Sequence, residues 1–172
     1  KDGVEWTKIE VGSGDVYGIA YGNETYYALV GKMSSDLNTN YVTCLMSSQD
    51  GCRWTVLNEN IPQTEYAGLV YGKEQLVSVS RYSTEEILIL NVDGSVFSGF
   101  EVKEREKQNN INEIDYANEH YIMHDSYNIY ISKDAKQWVS RRNPGIKKGL
   151  TIGNDYYVLY CSNQVGHYPN IS

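Results

Sequence analysis

An aspartate followed four residues later by a large aromatic recurs four times along the 172 residues, and this frame limits what the chain can fold into. It reads Asp2-Gly3-Val4-Glu5-Trp6, Asp50-Gly51-Cys52-Arg53-Trp54, Asp93-Gly94-Ser95-Val96-Phe97 and Asp134-Ala135-Lys136-Gln137-Trp138. Successive aspartates lie 48, 43 and 41 residues apart, and all three tryptophans of the chain fall on the frame. A period of that size marks a repeat architecture, in which each unit buries its apolar faces only against its neighbours.

A second element recurs between these copies. It reads "GIAYGNETYYALV" at 18–30, "GLVYGKEQLVSVS" at 68–80, "EIDYANEHYIMHD" at 113–125 and "GLTIGNDYYVLYC" at 149–161. Each is a short apolar strand, a tight turn and an alternating strand. The turn is predicted from Gly, which accepts positive φ at no steric cost; Ala117-Asn118 is a weaker version. The composition agrees, with 16 tyrosines and only 3 prolines, a balance that favours sheet. The pattern predicts strands near 17–21, 26–31, 41–47 and 53–57, then 67–71, 75–80, 85–91 and 95–102. It continues with 112–116, 120–125, 128–132 and 137–141, and ends with 149–152, 156–161 and 168–172. The last unit lacks its fourth strand. Its counterpart is at the other end of the chain, because "NIS" followed by "KDGVEW" reproduces "YIS" followed by "KDAKQW". The expectation is one all-β domain of repeats at 11–57, 67–102, 112–141 and 149–172 plus 1–10, with strand 4–10 closing the last sheet.

The frame resembles the Asp-box, the Ser-x-Asp-x-Gly-x-x-Trp-like hairpin (the BNR repeat) of sialidase-type β-propellers. Ser48, Asp50, Gly51 and Trp54 match it, as do Ser132, Asp134 and Trp138; Asp93, Gly94 and Phe97 match in part, and Ser172 supplies the serine for Asp2, Gly3 and Trp6. Here Gly directly follows Asp. The longer repeat is similar to propeller repeats of bacterial secreted and phage tail-associated proteins. The resemblance implies a β-propeller of about four four-stranded antiparallel blades; an arc of a larger six- to eight-bladed ring satisfies the same pattern. A short Asp or Ser side chain accepts backbone N–H bonds in such a turn. The favoured role of these residues is therefore structural, over catalysis or Ca²⁺ binding.

Strand alternation puts the Gly-Asn and Asp-frame turns at one end of the ring. The connectors 32–40, 58–66, 81–84, 103–111, 142–148 and 162–167 share the other end. Variable loops on a rigid scaffold carry recognition, so the candidate binding face is Asn60, Tyr66, Arg81, Tyr82, Arg142 and His167. A sialidase-like glycoside hydrolase is the alternative, and the resemblance then implies a three-arginine carboxylate clamp, a Tyr nucleophile with a Glu partner and an Asp acid/base. The chain has five arginines: Arg53 in the Asp-frame turn, Arg81, Arg105, and the adjacent Arg141 and Arg142. They do not assemble into a clamp on the predicted strands, and no catalytic residue is selected.

The formal net charge of −7 argues against a nucleic-acid backbone as partner. No apolar run approaches membrane-span length, and the strand-like start "KDGVEWTKIEV" is expected of a mature or excised piece. Cys44, Cys52 and Cys161 show no metal spacing and are taken as free thiols; His120 and His124 share one strand face, where packing is commoner than zinc. No metal or cofactor is expected. These readings converge on a non-catalytic binding or structural module for a carbohydrate or protein partner, in a bacterial extracellular, cell-surface or virion-associated assembly.

Overall fold

The computed structural model describes residues 8–11, 14–32, 42–62, 65–82, 87–100, 110–142, 149–153, 156–161 and 164–169, and no helix occurs among them. The first sheet is the antiparallel meander β1 (Asp15–Gly22), β2 (Thr25–Lys32), β3 (Val42–Ser48) and β4 (Thr55–Ile61). The second is β5 (Tyr66–Gly72), β6 (Gln75–Ser80), β7 (Ile87–Asn91) and β8 (Val96–Phe100). The third is β9 (Glu113–Ala117), β10 (His120–His124), β11 (Asn128–Ser132) and β12 (Val139–Arg142). β13 (Gly149–Gly153), β14 (Tyr156–Cys161) and β15 (Gln164–Pro169) form a last, three-stranded sheet. The innermost strands meet in chain order, β1 with β5, β5 with β9, and β9 with β13. The repeat frame thus becomes a row of sheets stacked face to face.

Two expectations need correction. The final strand, expected at 168–172, runs from Gln164 to Pro169, and its hairpin to β14 is tight, pairing Cys161 with Gln164. His167 therefore sits within β15 opposite Val158, away from any connector. The second correction concerns the repeated "YGN" and "YGK" turns. Gly22 and Gly72 end their strands and are not left-handed. The left-handed pairs are Asn23-Glu24 (φ 47° and 56°), Lys73-Glu74 (49° and 61°) and Asn118-Glu119 (49° and 61°). Two successive positive φ values are the type I′ hairpin geometry, whose twist matches that of the flanking strands. Of the expected closing strand 4–10, residues 8–10 are exposed and belong to no strand, while residues 4–7, with Asp2, Gly3, Trp6 and Ser172, lie outside the described residues.

The glycines serve a different purpose. A Cβ on Gly22 would lie 2.0 Å from the Tyr71 ring of the next sheet, and one on Gly72 would lie 2.5 Å from the Tyr116 ring of the sheet after that. Each bare backbone is the seat for an aromatic on the following innermost strand. Around these seats the inward alternation of two sheets closes a core. Tyr27, Leu29, Leu45 and Ile61 of the first sheet meet Leu69, Leu76, Leu88 and Leu90 of the second. Val77, Val79, Ile87 and Ile89 of the second meet Ile114, Tyr121, Met123 and Tyr130 of the third, with Ile111 beside them. A polar link crosses the second seam: the buried Tyr121 hydroxyl donates to Gly72 O at 2.6 Å and accepts from Gln75 Nε2 at 3.1 Å. Burial pushes this phenol up to about 12.

Gly22→Val should destabilise the protein by about 1–3 kcal/mol, because a side chain there overpacks against Tyr71. Removing the ring as well, in Gly22→Val with Tyr71→Ser, should cost less than the sum of the single changes; urea unfolding of all three variants measures the coupling. A pH effect follows from Tyr121. Its folded pKa is raised, so its contribution is intact below the unfolded value near 10 and declines as pH rises toward about 12. Thermal unfolding followed from pH 9 to 12 should show a shallower decline for Tyr121→Phe than for the parent chain.

Candidate functional site

The two ends of the sheet row differ in chemistry. At the turn end, Asp50 Oδ1 accepts from the amides of Cys52 and Arg53, each at 2.8 Å, and from Ser48 Oγ at 3.1 Å. Ser48 Oγ in turn accepts from Gly51 N at 2.9 Å, and Trp54 Nε1 donates to Gly51 O at 3.2 Å. Asp134 repeats the pattern, accepting from Lys136 N and Gln137 N at 2.8 Å and from Ser132 Oγ at 3.0 Å, while Trp138 Nε1 donates to Ala135 O at 3.0 Å. Gly51 (φ 73°) and Ala135 (φ 61°) hold the same left-handed position. The tryptophans precede their outer strands, packing on the buried clusters around Met46 and Tyr130 respectively.

The third copy departs from the frame. Asp93 Oδ1 accepts from Ser95 N at 2.8 Å and Ser95 Oγ at 2.7 Å, within a shorter turn in which Gly94 N donates to Asn91 O. Asn91 replaces the frame serine, and Ser95 supplies the hydroxyl from the other side. Phe97 belongs to β8. Gly94 also seats a neighbouring sheet, since Asn58 Nδ2 donates to its carbonyl at 2.7 Å.

These carboxylates are occupied by their own turns. The amides of Arg53 and then Cys52 hold Asp50 below the usual carboxylate range. Asp93 is held low by the Ser95 hydroxyl and then its amide. Partial burial would raise Asp134, but the Gln137 and Lys136 amides outweigh it and the net direction is down. No group of three or more metal-ligating side chains occurs among the described residues. Cys44 is buried and Cys52 is exposed.

The connector end is built from strand starts and ends. Glu65 O accepts from Arg81 N at 2.7 Å within the second sheet, and Arg81 O accepts from Ile111 N at 3.3 Å, so a backbone ladder ties the second and third sheets together there. On this ladder the Tyr82 side chain is 58% exposed. Its hydrogen bond to Glu65, and then that carboxylate's charge, hold the phenol above its ordinary value. Tyr17, on β1, is raised first by burial and then by the charges of Glu65 and Asp15. Glu65 thus acts on both tyrosines, with Asp15 acting also on Tyr17 and Arg81 also on Tyr82.

The expected face is distributed unevenly over this end. Asn60 is exposed at the end of β4, its amide donating to Asn58 Oδ1 at 2.7 Å, and Arg142 is exposed at the end of β12. Tyr66 is removed from the set: it is buried in the seam between the first two sheets, and its hydroxyl donates to Pro62 O at 2.8 Å. An alternating strand start after a connector is core by position, and the sequence reading treated it as loop. Asp15, Tyr17 and Glu65 were missed, although each borders an expected innermost strand. Asp115 was missed as well; burial pushes its carboxyl up, with Glu113 adding to the effect. Its signal was an acid at the register position held by Ala20 and Val70 in the preceding sheets. His120 and His124 share a face of β10, where His120 Nδ1 lies 2.7 Å from Asn118 O and the buried His124 Nε2 lies 3.9 Å from Glu113 Oε2. Arg53 lies at the turn end, Arg81 at the connector end, and Arg141 and Arg142 on an outer strand, so no three described arginines converge.

No family model and no curated protein matches the chain. Solved structures do. The computationally designed Ika4 protein superposes with a TM-score of 0.64 at 12% identity, over 94% of this chain and 95% of that one. A catalytically inactive virginiamycin B lyase from Staphylococcus aureus, with quinupristin, gives 0.60 at 10% identity over 91% of this chain. YCF48 bound to D1 peptide gives 0.60 at 12% identity over 95% of this chain. The fold is a β-propeller type. This chain covers 56% of the lyase and 53% of YCF48, about half of each.

Ser48→Ala should destabilise by about 1 kcal/mol, since it leaves the Gly51 amide and one Asp50 lone pair without their partner. Asp50 and Asp134 have lowered folded pKa values, so their contribution is intact above the unfolded value near 4 and is lost as pH falls through the folded values. The double variant Asp50→Asn, Asp134→Asn should therefore lose stability at pH 7 yet show a flatter melting profile between pH 5 and 2, measured by circular dichroism.

Proposed function

We propose that this chain is a non-catalytic β-propeller binding module that recognises a protein partner at its connector end. The observation that carries the reading is Tyr82, exposed and hydrogen-bonded to Glu65 with Arg81 nearby, while the same Glu65 also acts on Tyr17. Tyrosine and arginine are the side chains most often found at the energetic centre of protein interfaces, and an aromatic fixed by a hydrogen bond loses little entropy on binding. The surrounding carboxylates and the net charge of −7 favour a partner segment that presents basic or hydrogen-bond-donating groups. The turn end offers less, because its aspartates already accept two or three bonds each. YCF48 with a D1 peptide is an instance of a similar fold holding a peptide. The Asp-box attribution belongs to this reading too: Ser48, Asp50, Gly51 and Trp54, with their counterparts at 132–138, act as the blade hairpin and take no part in chemistry. A bacterial extracellular or phage-associated assembly is the setting that the resemblance supports.

Immobilised peptide and glycan arrays, with a sialoside hydrolysis assay in parallel, test the proposal. Binding to basic peptides without turnover is the expected result. Tyr82→Ala and Glu65→Gln should each weaken the best peptide by about tenfold or more, roughly 1.4 kcal/mol, with the melting temperature unchanged. Binding to glycans alone would reassign the partner, and hydrolysis would overturn the non-catalytic reading.

A further inference from the structure

The first sheet carries a face that belongs inside a stack. Hairpin register fixes which positions correspond, since Gly22 pairs with Thr25, Gly72 with Gln75, Ala117 with His120 and Gly153 with Tyr156. Counting from those pairs, Val16 corresponds to Tyr66 and Ile111, Ile19 to Leu69 and Ile114, Tyr21 to Tyr71 and Tyr116, and Tyr26 to Leu76 and Tyr121. In the second and third sheets three of these four positions are buried, at 2%, 5% and 0% exposure and at 0%, 5% and 0%. In the first sheet Val16, Ile19, Tyr21 and Tyr26 are exposed by 44%, 53%, 58% and 37%. Tyr71 and Tyr116 each lie over the bare backbone of a glycine in the sheet before them. Tyr21 has the same place in its strand, its ring 4.6 Å from that of Tyr26.

The neighbouring positions are already filled as they would be at a seam. Val11 packs on the cluster of Ala28, Val30, Cys44 and Met46, just as its counterpart Ile61 packs in the seam between the first and second sheets. Trp54 covers that cluster from its own turn, as Trp138 covers the third sheet's face toward the second. What this face requires is an innermost strand with glycine at its turn. β13 meets that requirement with Gly153, and the register positions that match Tyr27 and Leu29 hold Val158 and Tyr160. Within one chain, however, the innermost strands meet in the order β1, β5, β9, β13, so the chain's β13 is engaged with β9 at the far end of the row.

We propose that the exposed face of the first sheet docks the last sheet of a second copy of this chain, with Tyr21 seated over the partner's Gly153. Two copies make two identical seams and close a single ring of eight sheets, whose contacts continue the seams already present inside each copy. A head-to-tail contact that closes after two copies leaves no free face. The span of the ring agrees with the comparison: one copy covers about half of the virginiamycin B lyase and of YCF48.

The test uses the full chain at tens of micromolar. Light scattering after gel filtration should give twice the chain mass. Ile19→Asp with Tyr21→Asp should yield a folded monomer, weakening association by about 100-fold or more, because both carboxylates would otherwise be buried unpaired. Oxidation of Tyr21→Cys with Gly153→Cys, in a background with Cys52→Ser and Cys161→Ser, should give a disulfide between chains. A parent chain that is monomeric, a disulfide formed within one chain, or association into open-ended polymers overturns the proposal.

Discussion

The stack depends on an aromatic ring lying over a backbone that has no side chain. Tyr71 covers Gly22 and Tyr116 covers Gly72, with no room at either place for a Cβ. This contact sets how close two innermost strands approach, and therefore how tightly the apolar faces beside them close. Interiors are packed at crystal-like density, so a spacing error of one methyl group at the inner edge propagates outward across the seam. The leucines of the first seam and the isoleucines and valines of the second fill the space that the ring-on-glycine contact defines. Tyr121 and its bond to Gly72 O add a polar fix at the second contact, so one glycine carbonyl orders the seam while its missing side chain admits the ring.

The two ends of the row then divide the work. At the turn end, Asp50 and Asp134 are neutralised as ligands by the amides of their own turns, and the tryptophan that follows each is turned inward by its bond to the carbonyl three residues back. The serines and aspartates of these turns have local partners, which makes the turns chemically quiet. At the connector end, strand starts bring Asp15 and Glu65 near Tyr17, and Glu65 and Arg81 near Tyr82, and a backbone bond from Ile111 N to Arg81 O crosses from the third sheet to the second.

Much of the architecture was legible in the sequence because it is periodic. The spacing of Asp50, Asp93 and Asp134, with the hairpin text between them, located three four-stranded sheets and most of their strands. The role of Gly22 and Gly72 was not legible, since a glycine beside a turn reads as a turn residue, whereas the structure gives the positive φ values to Asn23, Glu24, Lys73 and Glu74. A close approach from a neighbouring sheet leaves no mark on the local sequence. The same limit explains Tyr66, read as an exposed binder and found buried, and His167, read in a connector and found in a strand. Candidate site residues were harder still. Tyr82 and Arg81 of the proposed face lie in a connector of the sequence, while the nearness of Glu65 to both Tyr82 and Tyr17 arises only when separate strand starts are stacked.

The connectors have a consequence for how such a scaffold can change. The links that carry the chain from one sheet to the next run from Ile61 to Tyr66, from Phe100 to Glu113 and from Arg142 to Gly149. These differ widely in length, yet the sheets on either side keep matching hairpin registers. Loop closure costs grow only slowly with length, so this rim tolerates inserted segments. The molecule therefore offers a place for grafting new sequences on one side only, with the opposite rim serving as the unchanging frame.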